Sequence, residues 1–221
     1  MIQLHEVYDA NKKGTLVIGL PRSGTHHLAS IIKNFLEQNG ILTSDHKELL
    51  LSDQDFSQAM ANDFKNIDMK YKTNEYSVFS SPQLIVPVVL GEYLKNNFHI
   101  VRIIRKNVLA HVMSLAIFNV LREHNKNNES IVNSVVVQDS FREIFKNNIP
   151  YTLPVDRLFA FISNWNTANN YNIAQKIFYY EDIENFFSDA GKSRIPYSPE
   201  EFFKNYNEIK SAFIKAGLMN G

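Results

Sequence analysis

A short apolar run that breaks into a glycine-bearing loop and reopens as a helix sets the tightest limit on how this chain folds. Thr15 to Gly19 (TLVIG) is apolar and β-branched, which predicts a strand buried on both faces. The turn LPRSGT follows. From Thr25 the apolar residues Leu28, Ile31, Ile32, Phe35 and Leu36 recur at helical spacing, until Asn39-Gly40 supplies a stop.

The unit repeats along the chain. Tyr76 to Phe79 is a strand candidate, with a helix predicted from Ser81-Pro82 to about Lys95 and proline in its first turn. His99 to Ile104 is the next strand, and Asn107 is placed to cap a helix running to about Glu123. Lys176 to Tyr180 reads as another buried strand, and Ser198-Pro199-Glu200-Glu201 has capping-box spacing ahead of one or two short helices. Alternating strands and helices predict an α/β architecture, a parallel sheet flanked by helices. A length of 221 residues suits one such domain, and with no internal repeat or linker the expectation is a single domain over 1–221. Leu42 to Asp68 and the Asn-rich His124 to Thr152 lack periodicity; they read either as lids and binding loops or as surface excursions with a short helix. Trp165 with Phe159 and Phe161 marks an aromatic-rich helix assigned to core packing.

Composition narrows the chemistry. Lys+Arg and Asp+Glu both number 23, so the net charge is zero and no nucleic-acid partner is indicated. There is no cysteine, which excludes disulfides, thiolate metal sites and a thiol nucleophile. The seven histidines show no recognisable metal spacing, and no metal is expected. MIQLHEVYDANKKG has no apolar core of a signal peptide, and no run approaches the roughly 20 apolar residues of a membrane span. The expectation is a soluble, cytoplasmic protein.

The loop Gly19-Leu20-Pro21-Arg22-Ser23-Gly24-Thr25-His26 lies where a helix begins, and unpaired N–H groups and a positive dipole there favour an anion. Gly24 allows close backbone approach, Ser23 and Thr25 add hydroxyl donors, and Arg22 adds a planar cation. Gly19 and Gly24 have the spacing of a Walker A loop, but Thr25 and His26 stand where its Lys and Ser/Thr would be. A phosphate site survives, with its charge moved upstream to Arg22. A second basic site follows in VRIIRKNVLAHVMS: Arg105 and Lys106 end a strand, and Asn107, His111 and Ser114 share a helical face. Ligands of parallel sheets gather at the carboxyl ends of the strands, so both sites fall on one edge. Tyr179-Tyr180-Glu181-Asp182 follows the last strand. Taken alone, each of these has a plain alternative: a joining turn, a solvated basic pair, a solvated turn.

In that order the three stretches resemble the sulfotransferase family. PRSGT is similar to its 5′-phosphosulfate loop, Pro-[Lys/Arg]-Ser-Gly-[Thr/Ser]; RKNVLAHVMS is similar to the basic-basic-Asn-x-Leu-x-x-x-x-Ser of trehalose-type bacterial members; and YED is similar to its Tyr-Glu-Asp-Leu signature. The resemblance spans Thr15 to Asp182 and is closer to trehalose-type and heparan-type members than to cytosolic phenol-type ones. It implies a P-loop-like sulfotransferase fold. It also implies an enzyme that uses 3′-phosphoadenosine 5′-phosphosulfate and passes its sulfonate to a hydroxyl or amine of a small-molecule, sugar or lipid acceptor. By the same resemblance Arg22, Ser23, Gly24, Thr25 and His26 would hold the 5′-phosphosulfate, with Arg22 also catalytic, and Ser114 with Arg105 or Lys106 the 3′-phosphate. Lys106 has the usual family spacing to Ser114, while Arg105 is preferred because a guanidinium binds two phosphate oxygens at once. Gly191-Lys192-Ser193-Arg194 would add charge there, or is a plain exposed loop.

The acceptor also needs a base. Cytosolic members carry a histidine after the second strand, but Phe79-Ser80-Ser81-Pro82-Gln83 has none. Trehalose-type and heparan-type members use a glutamate after the first helix, which makes Glu48 of His46-Lys47-Glu48-Leu49 the candidate base and His46 its reserve. The alternative is that Glu48 is an exposed helix residue. Two other functions compete with sulfonate transfer: a P-loop phosphotransferase or nucleotide kinase, and a catalytically inactive nucleotide-binding module.

Overall fold

The central strand β1, Gly14–Ile18, is buried along its whole length, as its apolar composition requires. The computed structural model of the chain describes residues 2–20, 22–44, 47–48, 52–70, 75–81, 88–124, 151–154, 160, 163, 173–183 and 198–219. His46, most of 124–152, the aromatics Phe159, Phe161 and Trp165, and 191–194 lie outside the described residues. The chain divides into two compact units, one of Met1–Arg105 with Thr167–Ile183 and one of Lys106–Asn166 with Glu184–Gly221.

The first unit carries the sheet. In chain order its elements are α1 (Leu4–Val7), β1, α2 (Thr25–Gln38), β2 (Lys47–Glu48), α3 (Asp53–Met60), α4 (Lys65–Lys70), β3 (Ser77–Ser81), α5 (Val88–Asn97), β4 (Phe98–Ile104), β5 (Lys176–Tyr179) and α7 (Tyr180–Ile183); α6 (Val108–His124) belongs to the other unit. Every strand pair is parallel, in the order β2-β3-β1-β4-β5, with β2 a two-residue extension of one edge. Alternation along the strands sends Leu16 and Ile18 of β1, Phe79 of β3 and Ile100 of β4 to one face, where Leu90 and Leu94 of α5, Ala59 of α3 and Ile67 of α4 cover them. Helix α2 packs on β1 and β3 through its buried Leu28, Ala29, Ile32 and Leu36. The parallel sheet flanked by helices is therefore present.

Several boundaries differ from those expected. Ser81 is the last residue of β3 and not the start of a helix; the strand runs two residues past Phe79, pairing Ser80 and Ser81 with Val17 and Ile18. Pro82 lies outside the described residues, and the described part of the next helix is Val88–Asn97. Tyr180 opens a short helix and does not end β5. Leu42 to Asp68, read either as a lid or as a surface excursion with a short helix, contains β2, α3 and the start of α4. The signal there was an aspartate form of the capping box: Ser52 Oγ accepts from the Asp55 N–H at 3.3 Å, and Asp55 accepts in return from the Ser52 N–H at 2.6 Å.

The second unit is built on α6 (Val108–His124), α8 (Pro199–Phe202) and α9 (Tyr206–Lys215). Asn107 caps α6 through its side-chain oxygen, 2.9 Å from the Ala110 N–H, and Ser198 and Glu201 form the expected capping box. Val112, Met113, Ala116, Phe202, Phe203, Ile209 and Phe213 share one apolar core. The Asn205 amide clips the backbone of Leu153 from both sides, donating to its carbonyl at 2.9 Å and accepting from its N–H at 3.0 Å.

Candidate functional site

Strand order decides where a ligand can enter. After β1 the chain leads to β2, beyond β3; after β4 it leads to β5 on the opposite side. The loops at the carboxyl ends of the neighbours β1 and β4 therefore diverge, which is the topological switch point where parallel sheets take their ligands. Gly19 to Gly24 is the first of these loops and Arg105 begins the second.

The first loop is tightly wound. Arg22 adopts φ 67° and Gly24 φ 102°, so two left-handed residues bracket Ser23. The second is a conformation glycine takes freely, while a non-glycine residue such as Arg22 enters it at some cost. The Ser23 N–H bonds back to the Leu20 carbonyl at 3.0 Å, and the first helical bond runs from the Leu28 N–H to Gly24. Ser23 is only 1% exposed, and its hydroxyl has no hydrogen-bond partner among the described residues. That hydroxyl occupies the space a side chain at position 19 would need, which explains the glycine there. Burying a hydroxyl without a partner costs about 1–3 kcal/mol, so an acceptor arriving from outside the fold would relieve it. Thr25 is buried as well, at the first turn of α2.

Two arginines meet beside this loop. Burial, followed by the charge of Arg105, lowers the proton affinity of Arg22. A guanidinium stays charged under such shifts, so the pair concentrates two positive charges. Arg105 lies over the Tyr180 ring, 4.1 Å from its centroid, a cation–π contact. The same ring faces Gly24: a Cβ there would come within 2.7 Å of Tyr180 Cδ2. One aromatic side chain at the end of β5 thus touches both loops. His27 registers the same field, since burial first, then His26, Arg22 and Arg105, lower its pKa below the ordinary 6.5.

A second group lies on the other side of β1. His26 on α2 sets Nδ1 3.1 Å from Ser80 Oγ of β3 and Nε2 3.2 Å from Glu48 Oε1 of β2. Glu48 is held by strand pairing, opposite Ser80 in register, and is not a helix residue. It is partly exposed.

Arg22, Ser23, Gly24, Thr25, His26, Glu48 and Arg105 thus belong to one unit, with the arginines brought together and His26 joined to Glu48. Lys106 and Ser114 belong to the other unit, the first exposed ahead of α6 and the second half-buried upon it. Sequence reasoning missed the roles of Tyr180 and Ser80. Tyr180 was legible only as part of YED, where the carboxylates drew attention, and Ser80 carried no signal because its partner is 54 residues away. No protein-family model matches the chain, and no curated protein sequence matches it.

Proposed function

We propose that this chain is a sulfotransferase: it binds 3′-phosphoadenosine 5′-phosphosulfate and passes the sulfonate to a hydroxyl or amine of a small-molecule, sugar or lipid acceptor. The observation that carries the reading is Arg105, held over the Tyr180 ring that faces Gly24, beside a loop that bears Arg22 and a buried Ser23 hydroxyl with no partner among the described residues. A nucleotide with anionic groups at both ends suits two cations and an unsatisfied donor at one switch point. The parallel sheet with this loop after β1 is read accordingly as a P-loop-like sulfotransferase fold.

The donor supplies an activated sulfonate, displaced in line as adenosine 3′,5′-bisphosphate leaves. Arg22 and the N–H groups of the first turn of α2 meet the negative charge that grows on the departing oxygen, the kind of preorganised stabilisation that dominates such reactions. Arg105, braced by Tyr180, takes the 3′-phosphate in preference to the exposed Lys106. Glu48 accepts the acceptor's proton. The phosphotransferase alternative is disfavoured because Thr25 and His26 stand at the Walker lysine and hydroxyl positions, and His26 is engaged with Ser80 and Glu48.

Calorimetric binding of adenosine 3′,5′-bisphosphate, with AMP and Mg-ATP as controls, tests the reading. Selective binding is expected, lost in Arg105→Ala and weakened only modestly in Arg22→Ala. A preference for Mg-ATP would hand the site to phosphoryl transfer, and selective binding without transfer to any acceptor would make the chain an inactive nucleotide-binding module.

A further inference from the structure

We infer that His26 is the positioning residue of the acceptor base, holding the Glu48 carboxylate in the orientation from which it receives a proton. The inference rests on the sulfotransferase reading above.

The chemistry of the contacts fixes the state of the imidazole. His26 Nε2 lies 3.2 Å from Glu48 Oε1 as an ion-pair contact, and since a carboxylate only accepts, Nε2 is the nitrogen that carries hydrogen towards it. In the neutral ring Nδ1 is then bare and accepts from the Ser80 hydroxyl. Ser80 is fully buried in β3, so its hydroxyl is a fixed reference point for the ring. The histidine in turn projects from the first turn of α2, the helix that carries the phosphate loop. Glu48 sits on a two-residue edge strand and is otherwise partly exposed, so strand pairing fixes its backbone while its side chain depends on His26. Its second oxygen, Oε2, makes no hydrogen bond among the described residues.

This arrangement serves a single in-line displacement. The acceptor oxygen forms a bond to sulfur and gives its proton to Glu48 Oε2. The bond from sulfur to the bridging oxygen breaks, and its electron pair leaves on the nucleotide. His26 does not take that proton; it keeps Oε1 occupied so that Oε2 is presented. Because His26 is anchored to the loop helix and Glu48 to the sheet edge, the bond between them ties the base to the donor site.

The test uses the whole chain and two readouts. The first is calorimetric binding of adenosine 3′,5′-bisphosphate. The second is release of sulfate from the donor with water as acceptor. Glu48→Gln is expected to slow sulfate release by about 10²- to 10⁴-fold. His26→Asn, which misplaces the carboxylate, is expected to slow it by up to about 10²-fold, a larger loss than it causes in nucleotide affinity. The double variant is expected to be no slower than Glu48→Gln alone, because His26 acts only through Glu48. Additive losses, or wild-type release in His26→Asn, overturn the inference while nucleotide binding leaves the donor reading standing. Sulfate release by the wild type no faster than in buffer also overturns it. Absence of nucleotide binding overturns both.

Discussion

At the scale of single residues, the site holds groups whose surroundings suit a bound anion better than an empty loop. Ser23→Ala removes a buried hydroxyl with no partner, so it is expected to leave the free protein as stable as before or up to about 1 kcal/mol more stable, while weakening adenosine 3′,5′-bisphosphate binding. Urea denaturation alongside calorimetry checks both halves; lower stability in the free protein would mean that the hydroxyl is satisfied from within. Arg22→Ala is expected to lower turnover by about 10²- to 10³-fold, and to lower affinity for the desulfated product much less. Equal losses in rate and product affinity would reduce Arg22 to a binding contact. His27 adds a dependence on pH. Its folded pKa is depressed below the ordinary 6.5 by burial and then by the neighbouring cations, so the unfolded chain takes up the proton first as pH falls. The stability contributed by neutral His27 is complete above 6.5 and declines as pH drops from there towards the folded value. Denaturation midpoints measured across that range should fall less steeply in His27→Asn. Saturating nucleotide, by bringing negative charge, should raise the His27 midpoint in a resonance titration.

At the scale of elements, the loop after β1 asks for a glycine in two separate ways. Gly24 has φ 102° and faces Tyr180, while Gly40 has φ 78° and nothing within 4 Å of the place a Cβ would take. Gly40→Ala is expected to cost about 1 kcal/mol for backbone conformation alone. Gly24→Ala adds the encounter with the ring, so thermal denaturation should show a larger loss, and nucleotide binding should weaken only there. The same contrast shows what was legible in the sequence. The loop, its strand and its helix were readable because their signals are local: a buried apolar run, turn residues, then helical periodicity from Leu28 to Leu36. The capped starts of α6 and α8 were readable for the same reason. Strand β2 was not, because two residues carry no periodicity and exist as a strand only by pairing with Phe79 and Ser80. Helix α3 escaped because its cap uses Asp55 where the usual pattern has glutamate or glutamine. Tyr180 and Ser80 act through partners far along the chain, which only the folded sheet brings together.

At the scale of the whole molecule, zero net charge coexists with two arginines, Arg22 and Arg105, after the neighbouring strands β1 and β4. A ligand that neutralises them should stabilise the fold as well as bind: about 2.7 kcal/mol when present at a hundred times its Kd, seen as a raised Tm in a thermal scan. The gain should shrink with added salt, since part of it is charge neutralisation. A rise of equal size with Mg-ATP would point to a general anion site. The Tyr180 ring, lying against Gly24 on one side and under Arg105 on the other, has a consequence for how such a chain can vary over time. A larger residue at 24 would require a smaller one at 180, and a smaller one at 180 would deprive Arg105 of its aromatic floor. Neither position can drift alone. Related chains should therefore keep glycine, an aromatic and arginine at these three places as a set, or exchange them together.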